Sequence, residues 1–125
     1  MTEVDFKKVL VAEDSSVIQN LLKKILMFEN CKITPAKDGQ LAFDKFENDD
    51  FDLVIMDINL PTVDGLEVTR RIRASKKNGL VPIIGISGNA KNLPEESFFE
   101  AGMNEYLQKP LEYDKLIELV KKYVG

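Results

Sequence analysis

Short apolar runs alternate along this chain with longer segments of helical period. The first run is Val9-Leu10-Val11-Ala12. Behind it Val17, Ile18, Leu21, Leu22, Ile25 and Leu26 recur at spacings of three and four, the period of a helix with one apolar face. Ser15 or Ser16 starts that helix, and Gln19 follows Ser16 by three residues in a capping-box arrangement. Cys31-Lys32-Ile33-Thr34 reads as a weaker strand. Pro35 beside it has no N–H for a ladder, which marks an edge. Asp38-Gly39 reads as a turn before a second helix with Leu41, Ala42, Phe43 and Phe46. Leu53-Val54-Ile55-Met56 is the third strand, followed by a loop with Pro61 and Gly65 and a helix with Leu66, Val68 and Ile72. Pro82 to Ile86 is the fourth strand. The next helix opens near Pro94, a residue tolerated at a first helical position, and ends at Gly102. Tyr106-Leu107-Gln108 is shorter and more polar, which suits the other edge, and the last helix has Leu116, Ile117, Val120 and Val124 on one face.

Five strand–helix units in strict alternation predict an α/β fold with a parallel sheet, helices on both faces and right-handed crossovers. The runs ending at Ala12, Met56 and Ile86 are apolar throughout, as strands buried on both faces should be. The most economical arrangement is a doubly wound, flavodoxin-like five-stranded sheet in the order 2-1-3-4-5 with five helices. Ligands of such sheets bind beyond the carboxyl ends of the strands, at the switch point between strands 1 and 3.

The length of 125 residues fits one domain, taken as residues 1–125. With 44% apolar and 30% charged residues the balance is that of a folded globular chain. A net charge of −4 lacks the electrostatic footprint of a nucleic-acid or membrane-surface binder, so neither is expected as a partner. The absence of histidine excludes a His–Asp pair, an imidazole metal ligand and a Cys–His nucleophile. The one cysteine, Cys31, excludes an intrachain disulfide and reads as a small buried apolar residue. No apolar run approaches membrane-spanning length, and Met1-Thr2-Glu3-Val4-Asp5 has no signal-peptide core, so a cytoplasmic location is expected.

The expected carboxyl ends of the strands carry the chemistry. Strand 1 ends in Glu13-Asp14, strand 3 in Asp57, strand 4 in Ser87 and strand 5 in Lys109. If strands 1 and 3 are neighbours, three carboxyl groups converge, which is costly unless a cation sits among them. Oxygen ligands with no His or Cys nearby select Mg²⁺, or Mn²⁺, over zinc. Mg²⁺ commonly combines one or two carboxylates with a phosphate oxygen, so the site anticipates a phosphoryl group. An aspartate can serve as the nucleophile that becomes an aspartyl-phosphate. Lys109 offers a point charge, and Ser87 a hydrogen bond, to phosphoryl oxygens. Each residue alone has an ordinary explanation as loop, cap or solvated side chain. The case rests on all four positions reaching one sheet edge.

These residues resemble the response-regulator receiver domain, the phosphorylation switch of two-component signalling. The likeness is carried by Glu13-Asp14, by Asp57-Ile58-Asn59-Leu60-Pro61-Thr62-Val63-Asp64-Gly65, by Ser87-Gly88, and by Tyr106-Leu107-Gln108-Lys109-Pro110. It covers essentially the whole chain. The resemblance implies that Asp57 accepts phosphate from the phosphohistidine of a histidine kinase or histidine phosphotransfer protein. It implies Glu13, Asp14, Asp57 and the Asn59 carbonyl around Mg²⁺, and Ser87, the Gly88 amide and Lys109 around the phosphoryl oxygens. It makes the Lys109–Pro110 bond a candidate cis peptide. It makes Ser87 and Tyr106 a switch pair acting on the face formed by helix 4, strand 5 and helix 5. Asn59 and Asn89 fall where the family flanks the phosphate.

On this reading the chain is a switch and not an enzyme with small-molecule turnover, its downstream target unnamed by the sequence. A domain of a hybrid histidine kinase or a phosphorelay intermediate is the alternative. An aspartate-dependent phosphatase would want a second Asp where Asn59 stands. A flavodoxin-like cofactor site would be repelled by Glu13-Asp14, and a degenerate receiver would not keep the acidic set. Arg70, Arg71, Arg73, Lys76 and Lys77 read as a solvated face of the third helix and its end. Of the adjacent Phe98 and Phe99, one is expected in the core and the other partly exposed.

Overall fold

A computed structural model describes residues 6–88 and 94–124. The elements run β1 (Lys7–Ala12), α1 (Ser16–Met27), β2 (Cys31–Ala36), α2 (Gly39–Asn48), β3 (Leu53–Asp57), α3 (Gly65–Ala74), β4 (Ile83–Ser87), α4 (Glu95–Ala101), β5 (Glu105–Gln108) and α5 (Tyr113–Val124). All strand pairs are parallel, and the sheet order is β2-β1-β3-β4-β5. The reversal falls between β1 and β3. Right-handed crossovers then place α1 and α5 on one face and α2, α3 and α4 on the other.

The core divides accordingly. Val9, Val11, Leu53, Ile55, Ile84 and Ile86 pack with Leu22, Ile25 and Leu26 of α1 and with Leu116 and Val120 of α5. The intervening Leu10, Ala12, Val54, Met56 and Ile83 pack with Phe46 of α2, Val68 and Ile72 of α3 and Phe98 of α4. The alternation of strand side chains thus feeds both layers.

β2 is an edge strand, and Pro35 lies within it, opposite Val11. Two bonds bracket the pairing, from Lys7 N to Asn30 O and from Glu13 N to Ala36 O. The parallel ladder they frame turns the even-numbered N–H groups of β2 toward β1 and the odd-numbered positions outward. Pro35 occupies an outward position, where no donor is missed.

Several local expectations are corrected. Ser15, not Ser16, caps α1, its hydroxyl accepting from Ile18 N. The third helical position is therefore Ile18, and Gln19 turns beneath the sheet edge instead of closing a capping box. Asp38-Gly39 is a helix start rather than a free turn, with Asp38 accepting from Leu41 N. Gly65 is the first residue of α3, not part of the loop, and Asp64 caps that helix. Pro94 is the N-cap of α4 rather than its first helical residue, so the helix begins one residue later, at Glu95, while Gly102 ends it at φ 114 as a left-handed cap. Pro82 stands just outside β4 but still accepts from Val54 N. Val17 and Leu21 are exposed, because α1 meets only one side of the sheet at its edge. Among the described residues no helix is long and apolar enough to cross a membrane.

Candidate functional site

β1 and β3 lie side by side in register, Ala12 opposite Met56. Their next residues therefore share one sheet edge. Glu13 and Asp57 are buried, and Asp14 is exposed. Glu13, Asp14 and Asp57 each bring a carboxylate oxygen within 4.8 Å of the others. Lys109, just beyond β5, extends its ammonium back across the site, 2.8 Å from Glu13 Oε1 and 2.9 Å from Asp57 Oδ2. Glu13 Oε2 accepts from Ser15 N at 2.9 Å, and Asp57 Oδ1 accepts from Asn59 N at 3.0 Å.

The electrostatics follow from that crowding. Burial pushes the Glu13 carboxyl above the ordinary glutamate value, and the neighbouring Asp57 adds to it; Lys109 and the Ser15 N–H pull the other way without cancelling it. For Lys109 burial opposes the charge. Its bonds to Glu13 and Asp57 outweigh this and hold the ammonium above the ordinary lysine value. One lysine thus serves two buried carboxylates.

Ser87 ends β4, buried, and its hydroxyl has no hydrogen-bond partner. An orphaned buried hydroxyl is a cost unless a ligand uses it. Gly88 follows, exposed. The Lys109–Pro110 peptide is cis, as expected. Tyr106 is half-buried against Phe98 and Phe99. Phe98 is the core residue of its pair and Phe99 the exposed one. Asn89 lies outside the described residues.

α3 is seated tightly under this edge. An added Cβ at Gly65 would stand 2.1 Å from the Asp57 carbonyl oxygen, so only glycine lets the helix start against the end of β3. Gly65 N donates to Ile58 O, closing the loop that carries Asn59.

Residues 9–121 match the family model described as response regulator receiver domain. The chain belongs to this family.

Other receivers share both fold and scale. The receiver domain of sensor histidine kinase PA1611 from Pseudomonas aeruginosa PAO1 superposes with a TM-score of 0.88 at 33% identity, covering 97% of this chain and 99% of that one. That crystal structure is described with a magnesium ion coordinated in its active-site cleft. Hybrid signal transduction histidine kinase I of Dictyostelium discoideum is 36% identical over 125 residues. The match takes in 94% of this chain but spans only 7% of that kinase's length. The polar-differentiation response regulator DivK of Brucella ovis is 29% identical over 119 residues, covering 95% of this chain and 97% of DivK. This receiver domain is therefore similar both to a segment of a large hybrid kinase and to a protein of its own size.

Three residues of this receiver escape the sequence reading. Arg73, expected on a solvated face, is half-buried and bonds Gly79 O, Val81 O, Gly102 O and Asn104 Oδ1. Lys77 likewise turns to the Glu47 and Asp49 carbonyls. Gln19, expected in a cap, bonds the backbone beneath Glu13. Backbone carbonyl partners leave no mark on sequence pattern. The hint available was a long polar side chain just after the acidic pair.

Proposed function

We propose that this receiver domain takes a phosphoryl group from the phosphohistidine of a histidine kinase or histidine phosphotransfer protein onto Asp57. The observation that carries the reading is the meeting of Asp57 with Glu13, Asp14 and Lys109 at the sheet's switch point. An Asp57 carboxylate oxygen attacks phosphorus as the P–N bond breaks, and the leaving imidazole keeps the bonding electron pair. Lys109, now bonded to Asp57, shifts its charge toward the incoming phosphoryl oxygens. The unpartnered Ser87 hydroxyl donates to one of them, and the Gly88 N–H to another.

The donor set fits Mg²⁺: three carboxylates and no nitrogen or sulfur ligand among the described residues. Glu13, Asp14 and Asp57 would hold the ion with the Asn59 carbonyl, some through water. When bound it neutralises charge on the carboxylates and phosphoryl oxygens. The magnesium in the receiver of PA1611 supports the choice.

The output is a change of conformation, not turnover of a small molecule. Movement of Ser87 toward the phosphoryl group vacates space that Tyr106 enters, altering the face of α4, β5 and α5. Residues 1–125 are read as one such domain, working in the cytoplasm. The similarity to hybrid histidine kinases supports a second reading, in which the domain belongs to such a kinase or a phosphorelay intermediate.

The test is incubation with acetyl phosphate and Mg²⁺. One acid-labile addition of about 80 Da is expected by intact mass, absent in Asp57→Ala. Equal labelling of Asp57→Ala rejects the assignment.

A further inference from the structure

The acidic turn after β1 is held from below by Gln19, which sits one turn inside α1. Its Nε2 lies 2.8 Å from Val11 O, 3.1 Å from Glu13 O and 3.4 Å from Ala36 O. One amide thus joins the last turns of β1 and β2 to the start of the acidic loop. Glu13 N donates to Ala36 O at 2.9 Å. Both backbone polar groups of Glu13 are therefore tied, the N–H to β2 and the carbonyl to Gln19.

The other end of the same side chain is unusual. Gln19 Oε1 is buried and accepts no hydrogen bond. A buried amide oxygen without a donor is unfavourable, and a residue chosen for stability alone would not leave one. The gain on the opposite atom is orientation. Fixing the Glu13 carbonyl fixes the peptide plane between Glu13 and Asp14. That plane sets the direction in which the exposed Asp14 carboxylate leaves the chain. Without the Gln19 donor, the Glu13 carbonyl must find water, and the peptide gains freedom to rotate between two anchored neighbours.

We propose that Gln19 is a positioning residue for the cation site, acting through the Glu13–Asp14 peptide to hold the Asp14 carboxylate in reach of Asp57. The proposal rests on the Mg²⁺ reading of the site. Outer residues that orient metal ligands commonly alter metal affinity about 10- to 100-fold when removed.

The experiment is a Mg²⁺ titration of phosphate-free protein followed by amide and carbonyl NMR, with wild type, Gln19→Met, Gln19→Asn and Asn20→Ala. Met keeps the length and removes the donor. Asn keeps the amide but is one methylene too short to span the three carbonyls. Asn20 is exposed and adjacent, and serves as the control. Urea unfolding in EDTA is measured on each. Gln19→Met and Gln19→Asn should bind Mg²⁺ about tenfold more weakly, with a shifted Glu13 carbonyl resonance and unchanged amides in β4 to α5. Asn20→Ala should match wild type. Wild-type affinity in both Gln19 variants overturns the proposal. So does weakening accompanied by shifts spread through β4 to α5, which makes Gln19 a general structural support. If wild type itself shows no Mg²⁺ response, the cation reading is what fails, and the inference falls with it.

Discussion

Tyr106 lies stacked on Phe98, with ring centroids 4.5 Å apart and planes within 12° of parallel. Phe99 meets the same ring edge-on at 6.2 Å. The Tyr106 ring therefore links β5 to α4, one buried phenylalanine and one exposed. Rotation of Tyr106 must break the stack, so the ring reports on α4 as well as on Ser87.

With beryllofluoride standing in for the phosphoryl group, amide shifts in wild type should spread from Asp57 through α4, β5 and α5. In Ser87→Ala the ligand should still bind, and the distant shifts should shrink, because the hydroxyl favours only the active arrangement. Distant shifts of wild-type size in Ser87→Ala remove Ser87 as the lever.

Lys109 is the counter-charge of two buried carboxylates, 24% exposed along its side chain. Lys109→Ala should lower stability in EDTA by about 2–3 kcal/mol, below the ~3–5 of a fully buried pair because water reaches the ammonium. Added Mg²⁺ should stabilise the variant more than wild type, since the ion replaces the missing charge. Phosphorylation by acetyl phosphate should still be impaired. Paired urea titrations with and without Mg²⁺ measure the first two effects, and intact mass the third.

Gly65→Ala drives a methyl into the Asp57 carbonyl. Either α3 or the end of β3 must move. A loss of about 1–3 kcal/mol is expected, the usual cost of overpacking, together with slower phosphorylation. Urea unfolding and the rate of mass increase give the two numbers. Unchanged values of both would mean that the helix start yields without disturbing the site.

Arg73 fastens the loop before β4 to the loop before β5 through four acceptors. Arg73→Ala should destabilise by about 2–3 kcal/mol by leaving part-buried carbonyls unpaired. Arg73→Lys should recover less than half, because an ammonium cannot reproduce the planar fork. Full recovery by lysine would reduce the interaction to simple charge.

Cys31 is 3% exposed, and burial pushes its thiol above the ordinary value, with Glu29 and Asp52 adding to the shift. The folded state favours the protonated thiol, so its contribution to stability is present below the unfolded pKa and lost as pH rises through the folded one. At about pH 8, alkylation by iodoacetamide should be many-fold slower in the native protein than in urea. Equal rates would show that the thiol is open to solvent.

Alternating apolar runs and helical periods determined the order of ten elements, and the apolar strands determined that the sheet would be covered on both faces. These follow from local geometry: two residues per strand repeat and 3.6 per helical turn. The carboxyl-end positions of Glu13, Asp14, Asp57, Ser87 and Lys109 were legible for the same reason, since a strand's end is written in its sequence. Cys31 as a buried thiol was legible too, as was a split between Phe98 and Phe99, though only the packing of α4 decided that Phe98 is the core member. What tertiary structure decided is which acceptors the long polar side chains reach. Gln19 and Arg73 end on backbone carbonyls far away in sequence or across a turn, and a carbonyl is identical at every residue. Val17 and Leu21 read as core by period, yet lie exposed because α1 packs at the sheet's margin. The sharing of Lys109 between Glu13 and Asp57 likewise required β1, β3, β4 and β5 to be set in that order before one ammonium could reach both carboxylates.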